Sequence, residues 1–178
     1  MEFWFNIHTL IWLFPVFFII HDFEEIIMLE HWLHHHRHKL YKRLPYPLAD
    51  RIVKQFSMTT AQFAVAVLVV FIVVSGATIA ASQYLYNGNV MKLYVFIVVT
   101  LVFFIHALTH IGQTILLRSI TPGSVTSLFV IIPYSMLLYS SLFSQKLITW
   151  QMIFNCLPFG LLFFPIVLTA QWLGKKVI

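Results

Sequence analysis

Charge is scarce in this sequence: Asp, Glu, Lys and Arg make up 10% of its 178 residues, against 60% hydrophobic residues and a mean hydropathy of +0.88. Soluble domains carry roughly a quarter charged residues, so a soluble globular protein is excluded and an integral membrane protein is expected. Cysteine is nearly absent. The single Cys156 rules out an internal disulfide, makes a thiolate metal centre unavailable and says little about redox compartment. Acidic residues number only six, which leaves a formal net charge of +5. Such an excess can attract nucleic acid, but here the basic residues follow a membrane topology, so no nucleic-acid partner is expected. There is no convincing repeat, low-complexity tract or phosphate- or dinucleotide-binding loop.

What fills the chain instead is a series of apolar runs. At about 20 apolar residues per crossing, they predict five helices at roughly 4–28, 58–84, 92–117, 124–144 and 150–172. The fold class is therefore all-α, a polytopic membrane helix bundle formed as one integral membrane domain over 1–178, multi-pass in the cell membrane. The first run is not followed by a small-residue cleavage site, so a retained helix is expected rather than a signal peptide. The segment from His31 to Lys54 holds Arg37, Lys39, Lys42, Arg43, Arg51 and Lys54. It reads as a cytoplasmic loop, with Pro45 and Pro47 breaking any helix that leaves the first span. Of the eleven Lys and Arg, only Lys92 and Lys146 then fall outside, which predicts an N-out, C-in topology. Asn87-Gly88-Asn89 reads as a tight outer turn. Thr121-Pro122-Gly123 reads as a helix start, with Thr121 capping and Pro122 at the first position. Pro15, Pro133, Pro158 and Pro165 fall inside predicted spans, where each frees a carbonyl and bends the axis. Trp4, Tyr84, Tyr86, Trp150 and Trp172 fit an aromatic belt.

Four of the six acidic residues, Asp22, Glu24, Glu25 and Glu30, are crowded at the inner end of the first span. An ionisable group at membrane depth costs several kcal/mol unless it is paired, hydrated or metal-bound, so it marks a functional site by default. His21 lies three residues before Glu24 and four before Glu25, and so presents one imidazole and two carboxylates on a single turn. His106 and His110 are again four apart, with Gln113 seven beyond His106 on the same side. Counted back from Arg37 and Arg118, Glu25 and His106 lie at similar depths, which makes a shared site geometrically possible. Two to three imidazoles with one or two carboxylates suit Zn²⁺, Fe²⁺ or Mn²⁺. The competing reading is that these groups only hydrogen-bond across the bundle. Asp22 points to another face and is read as orienting a histidine. The run from His31 to His38 reads as a solvated basic face next to anionic lipid, with metal delivery as its alternative.

The His21-x-x-Glu24-Glu25 run, the His106-x-x-x-His110 pair, and Arg118 followed by Thr121-Pro122-Gly123 resemble the HXXEE family, small bacterial membrane proteins named for the first motif. The resemblance runs from the first span to the fourth, and it implies a membrane protein without implying a reaction. The paired glutamates are also similar in kind to those of CAAX-type intramembrane proteases, but the Glu-Glu-x-x-x-Arg pattern of those enzymes is absent. The histidine boxes of membrane di-iron oxygenases are a superficial likeness, which the chain's nine histidines do not reproduce.

The leading expectation is a metal-dependent membrane hydrolase acting on a lipid or membrane-embedded substrate. Its metal, Zn²⁺ ahead of Fe²⁺ or Mn²⁺, would be held by His21, Glu25, His106 and His110, with Glu24 as general base. Glu24 and Glu25 can exchange roles. Arg118 and Gln113 are expected to contact substrate, Arg118 through a lipid phosphate or else as a positive-inside anchor. The alternatives are a transporter or metal- or proton-handling protein, to which a homodimer would supply the symmetry of a carrier, and a di-iron oxygenase. A conduction pathway needs polar groups through both leaflets, and beyond Asn6, His8 and Gln83 the outer half offers few, which favours the enzyme.

Overall fold

The computed structural model describes residues 6–177, except for the side chain of Asn87; Trp4 and the start of the first predicted span lie outside them. Helices follow one another as α1 (Ile7–Arg43), α2 (Tyr46–Phe56), α3 (Thr60–Asn87) and α4 (Val90–Leu117), then the single turn α5 (Ser124–Thr126). A π-helical turn (Ser127–Ile131) leads into α6 (Ile132–Ser144), and α7 (Trp150–Cys156) joins α8 (Phe163–Val177) through a 3₁₀ stretch (Leu157–Leu162). Among the described residues there is no strand. Among the described residues, four helical stretches are long and apolar enough to cross a membrane: Thr60–Tyr86, Val90–Leu117, Ser124–Ser144 and Trp150–Val177. They match the last four predicted spans and make the chain a multi-pass membrane protein by length and composition. The apolar half of α1 packs beside them, against α3 most extensively.

Local sequence accounts for most boundaries. Thr59 and Gln62 form a reciprocal capping box at the start of α3, and Gly88, at φ 67°, ends it in the left-handed region that glycine occupies without strain. The Asn89 side chain then accepts from Met91 N–H to start α4. Pro133 has no N–H to offer the carbonyl four residues back, and the chain widens into the π turn just ahead of it. Pro158 lies in the 3₁₀ stretch that divides the fifth span.

The predicted loop from His31 to Lys54 is instead largely helical. α1 runs on to Arg43, and at 37 residues it is about 55 Å long, well beyond a hydrocarbon core of roughly 30 Å. Leu33 and Leu40, two turns apart on one face, bury against Val53 of α2 and Leu117 of α4, and this small apolar contact anchors the second half of the helix. Proline does end α1, as expected, since Leu44 is extended ahead of Pro45. α2 is amphipathic, with Ala49 and Val53 inward and Arg51 and Lys54 exposed.

Thr121 does not cap the helix that follows it, correcting the sequence reading. Gly123 is the residue before α5, at φ 78°, and the Thr121 hydroxyl is turned back to Thr114 Oγ1 and the His110 carbonyl.

Candidate metal centre

α1 and α4 lie side by side at the level where each carries its histidines, so residues 80 or more apart in sequence converge. Glu25 Oε1 is 2.7 Å from His110 Nε2, 3.5 Å from His106 Nε2 and 3.9 Å from His21 Nε2. The two α4 imidazoles meet Nε2 to Nε2 at 2.9 Å. One side-chain atom from each of the four residues, each able to ligate a metal, lies within 4.8 Å of the other three. Donors bound at about 2.1 Å around a tetrahedral ion stand roughly 3.4 Å apart, and the observed separations bracket that value. His21, Glu25 and His110 are buried and His106 is half-buried, so the cluster has one accessible side, on α4.

A second layer of contacts orients His21. Its Nδ1 is 2.9 Å from Thr126 Oγ1, and that hydroxyl donates to Glu24 Oε2 at 2.6 Å. Because the single hydroxyl proton goes to the carboxylate, the oxygen accepts from His21 Nδ1–H. Nε2 is left as a bare lone pair directed at the cluster. That atom is buried and has no hydrogen-bond partner among the described residues, an arrangement costly by itself and suited to a cation. The chain's own donors therefore fit a divalent metal ion.

Glu24 stands elsewhere than the sequence suggests. Its two oxygens accept from Val125 N–H at 3.2 Å and Thr126 N–H at 2.7 Å, so it caps the fourth span from outside. Neighbours on a helix diverge by about 100°, which sends Glu25 toward α4 and Glu24 toward α5. Glu30 repeats the device at α3, accepting from Thr60 N–H and Thr60 Oγ1, each at 2.6 Å. Those bonds hold its carboxyl below the usual glutamate range. Sequence reasoning missed Thr126 altogether; its signal was a hydroxyl in the first turn of a helix, close behind Thr121-Pro122-Gly123.

Gly123 forms the floor of the cluster. A Cβ on it would come 2.9 Å from Glu25 Oε1 and 3.0 Å from the Cε1 atoms of both His110 and His21. Asp22 is buried as well, but it makes no hydrogen bond to a histidine, so the orienting role expected of it belongs to Thr126; its Oδ2 has no partner. Gln113 and Arg118 are exposed and are not members of the His/Glu cluster. Arg118 ends α4 at φ 48°, its carbonyl accepting from Lys39 Nζ at 3.1 Å. The histidine-rich end of α1 clasps the same turn, through Trp32 Nε1 to the Ile120 carbonyl (2.7 Å) and His36 Nε2 to Ser119 Oγ (3.1 Å).

A bundle of membrane-length helices and a His/Glu cluster at one end of it together define a class of multi-pass protein with a candidate cation site. Residues 12–138 match the family described as "Protein of unknown function with HXXEE motif", and the chain belongs to that family, its motif being His21-Asp22-Phe23-Glu24-Glu25. No curated protein and no solved structure matches the chain.

Proposed function

We propose that the protein is a metal-dependent enzyme of the cell membrane, a hydrolase acting on a lipid or membrane-embedded substrate. The observation that carries this reading is the convergence of three imidazole Nε2 atoms on Glu25 Oε1, with His21 Nε2 buried and otherwise unpartnered. Three imidazoles can hold a zinc-like ion and leave a position open, and such an ion lowers the pKa of a bound water toward neutrality. Glu24, engaged by two backbone amides, is poorly placed to act as base. Glu25 touches all three histidines, and we assign it the proton-accepting role. Glu24 becomes a positioning residue, acting on His21 through Thr126. Among the described residues, buried His, Asp and Glu are confined to one end of the bundle, which suits a pocket better than a pathway through both leaflets.

The test uses the full chain in lipid nanodiscs, with bound metal measured by elemental analysis and lipid products by mass spectrometry in ¹⁸O-water. Stoichiometric metal and chelator-sensitive ¹⁸O incorporation into a lipid product are expected. His110→Ala should lose both. Glu25→Gln should keep the metal and lose turnover, because an amide preserves shape but takes no proton. Thr126→Val should keep the fold and weaken metal binding by about 10- to 100-fold, the usual effect of removing a ligand's outer partner. Metal-free protein with unchanged lipids in every sample would overturn the proposal.

A further inference from the structure

A cavity of about 230 Å³ opens beside the metal centre, between α1, α3, α4 and α8, with the end of α2 across one side. Its lining is graded. Asp22, Glu25, His106, Gln55 and Gln171 gather at one end. From there, Phe63, Val67, Val70 and Val74 of α3 lead away, with Val99 of α4 and Phe163 of α8 at the far end. Phe63 to Val74 is eleven residues of one helix, so the apolar wall is roughly 16 Å long. At ~10–15 Å³ per water-sized group, the volume takes roughly 15 to 23 such groups. That is one hydrocarbon chain rather than two. A polar ligand in the far end would lose its hydration without recovering a hydrogen bond, so only an apolar tail gains by entering it.

The polar end has unused capacity. Asp22 is buried and Oδ2 has no hydrogen-bond partner, a position that asks for a donor from outside the chain. Gln55 and Gln171 line the same cavity, joined by a hydrogen bond that Gln55 Nε2 donates to Gln171 Oε1 at 3.2 Å. Two members of the metal cluster, Glu25 and the half-exposed His106, line the cavity and join it to the centre.

We propose that this cavity binds a single-chain amphiphile: its hydrocarbon tail lies along α3, and a hydroxyl or amide N–H on its head donates to Asp22. The head then lies against His106 and Glu25, which makes single-chain lipids of this kind the substrate class. The last step rests on the hydrolase reading, whereas the tail and head sites stand without it.

The experiment uses the full chain in nanodiscs with two probes, a photoreactive dodecanol and its methyl ether, which lacks the donor. Cross-linked residues are mapped by mass spectrometry and bound metal is measured in the same samples. Labelling is expected on α3 and α8 around Val70 and Val167, with the alcohol favoured about fivefold over the ether. Val70→Trp should cut labelling at least tenfold at unchanged metal content, and Val167→Phe, filling the opposite wall, should do the same and carries the test if Val70→Trp folds poorly. Asp22→Ala should abolish the preference for the alcohol. Labelling spread over lipid-facing residues and indifferent to both fillings would overturn the chain site, and equal labelling by the two probes would overturn the head-group assignment. Metal without selective labelling defeats this inference alone; selective labelling without metal defeats the hydrolase reading alone.

Discussion

A methyl group at position 123 separates two costs that are usually mixed. Gly123 and Gly88 both have positive φ, but a Cβ on Gly88 meets nothing within 4 Å, whereas one on Gly123 meets Glu25, His110 and His21. Both alanine substitutions carry the left-handed penalty of roughly 1–2 kcal/mol. Gly123→Ala alone should also push the ligands apart, and a metal titration should show affinity at least tenfold lower than in Gly88→Ala. Equal affinity in the two variants would mean that position 123 does not shape the cluster. The four residues of the cluster were readable from spacing, since His21 with Glu25 and His106 with His110 are each four apart and so share a helix face. The separate destination of Glu24 was not. Which way a helix neighbour points is local geometry, but what it meets there is set by α5, about a hundred residues downstream.

At the scale of the element, α1 is a strut that meets three others through its carboxylates. Glu25 faces α4, Glu24 caps the fourth span and Glu30 caps α3, each cap placing negative charge at the positive end of a helix. Glu30 is exposed and its folded pKa is lowered from 4.5 by the two Thr60 bonds. A lowered carboxylate contributes stability that is present above the unfolded value and lost as pH falls through the folded one. Hydrogen exchange at the Thr60 amide should therefore be protected at neutral pH and lose protection as pH drops below about 4.5, relative to an amide deep in α3. Glu30→Gln should be exposed throughout, with no such step. The helical continuation of α1 escaped sequence reading because its histidine-rich turns carry little apolar period; Leu33 and Leu40 supply the buried face only in combination with Val53 and Leu117. The π turn at Ser127–Ile131 was likewise hidden, although Pro133 marks the place where the regular ladder has to break.

For the whole molecule, the apolar runs made the bundle legible, because length and hydropathy suffice for helices that satisfy every backbone group internally. Whether α1 crosses decides the side of the N-terminus. If it does, Asn6 and the C-terminal lysines lie on opposite sides; if it does not, four crossings put both in the cytoplasm. We expect opposite sides, from the distribution of Lys and Arg. In intact cells Asn6→Cys should react with a membrane-impermeant thiol reagent and Lys176→Cys should not, Cys156 being buried. Labelling of neither would place both ends inside and remove α1 from the set of spans.

The capping of the fourth span by Glu24 also has a consequence for biosynthesis. The amides that receive this carboxylate lie 101 and 102 residues later in the chain, and at 5–20 residues per second a ribosome needs roughly five to twenty seconds to make them. Throughout that interval Glu24 lacks the amides that receive it, and the arrangement forms only after α5 has been made. A nascent chain stalled after α4 therefore carries this carboxylate without its final partners, a chemical difference between the unfinished protein and the finished one.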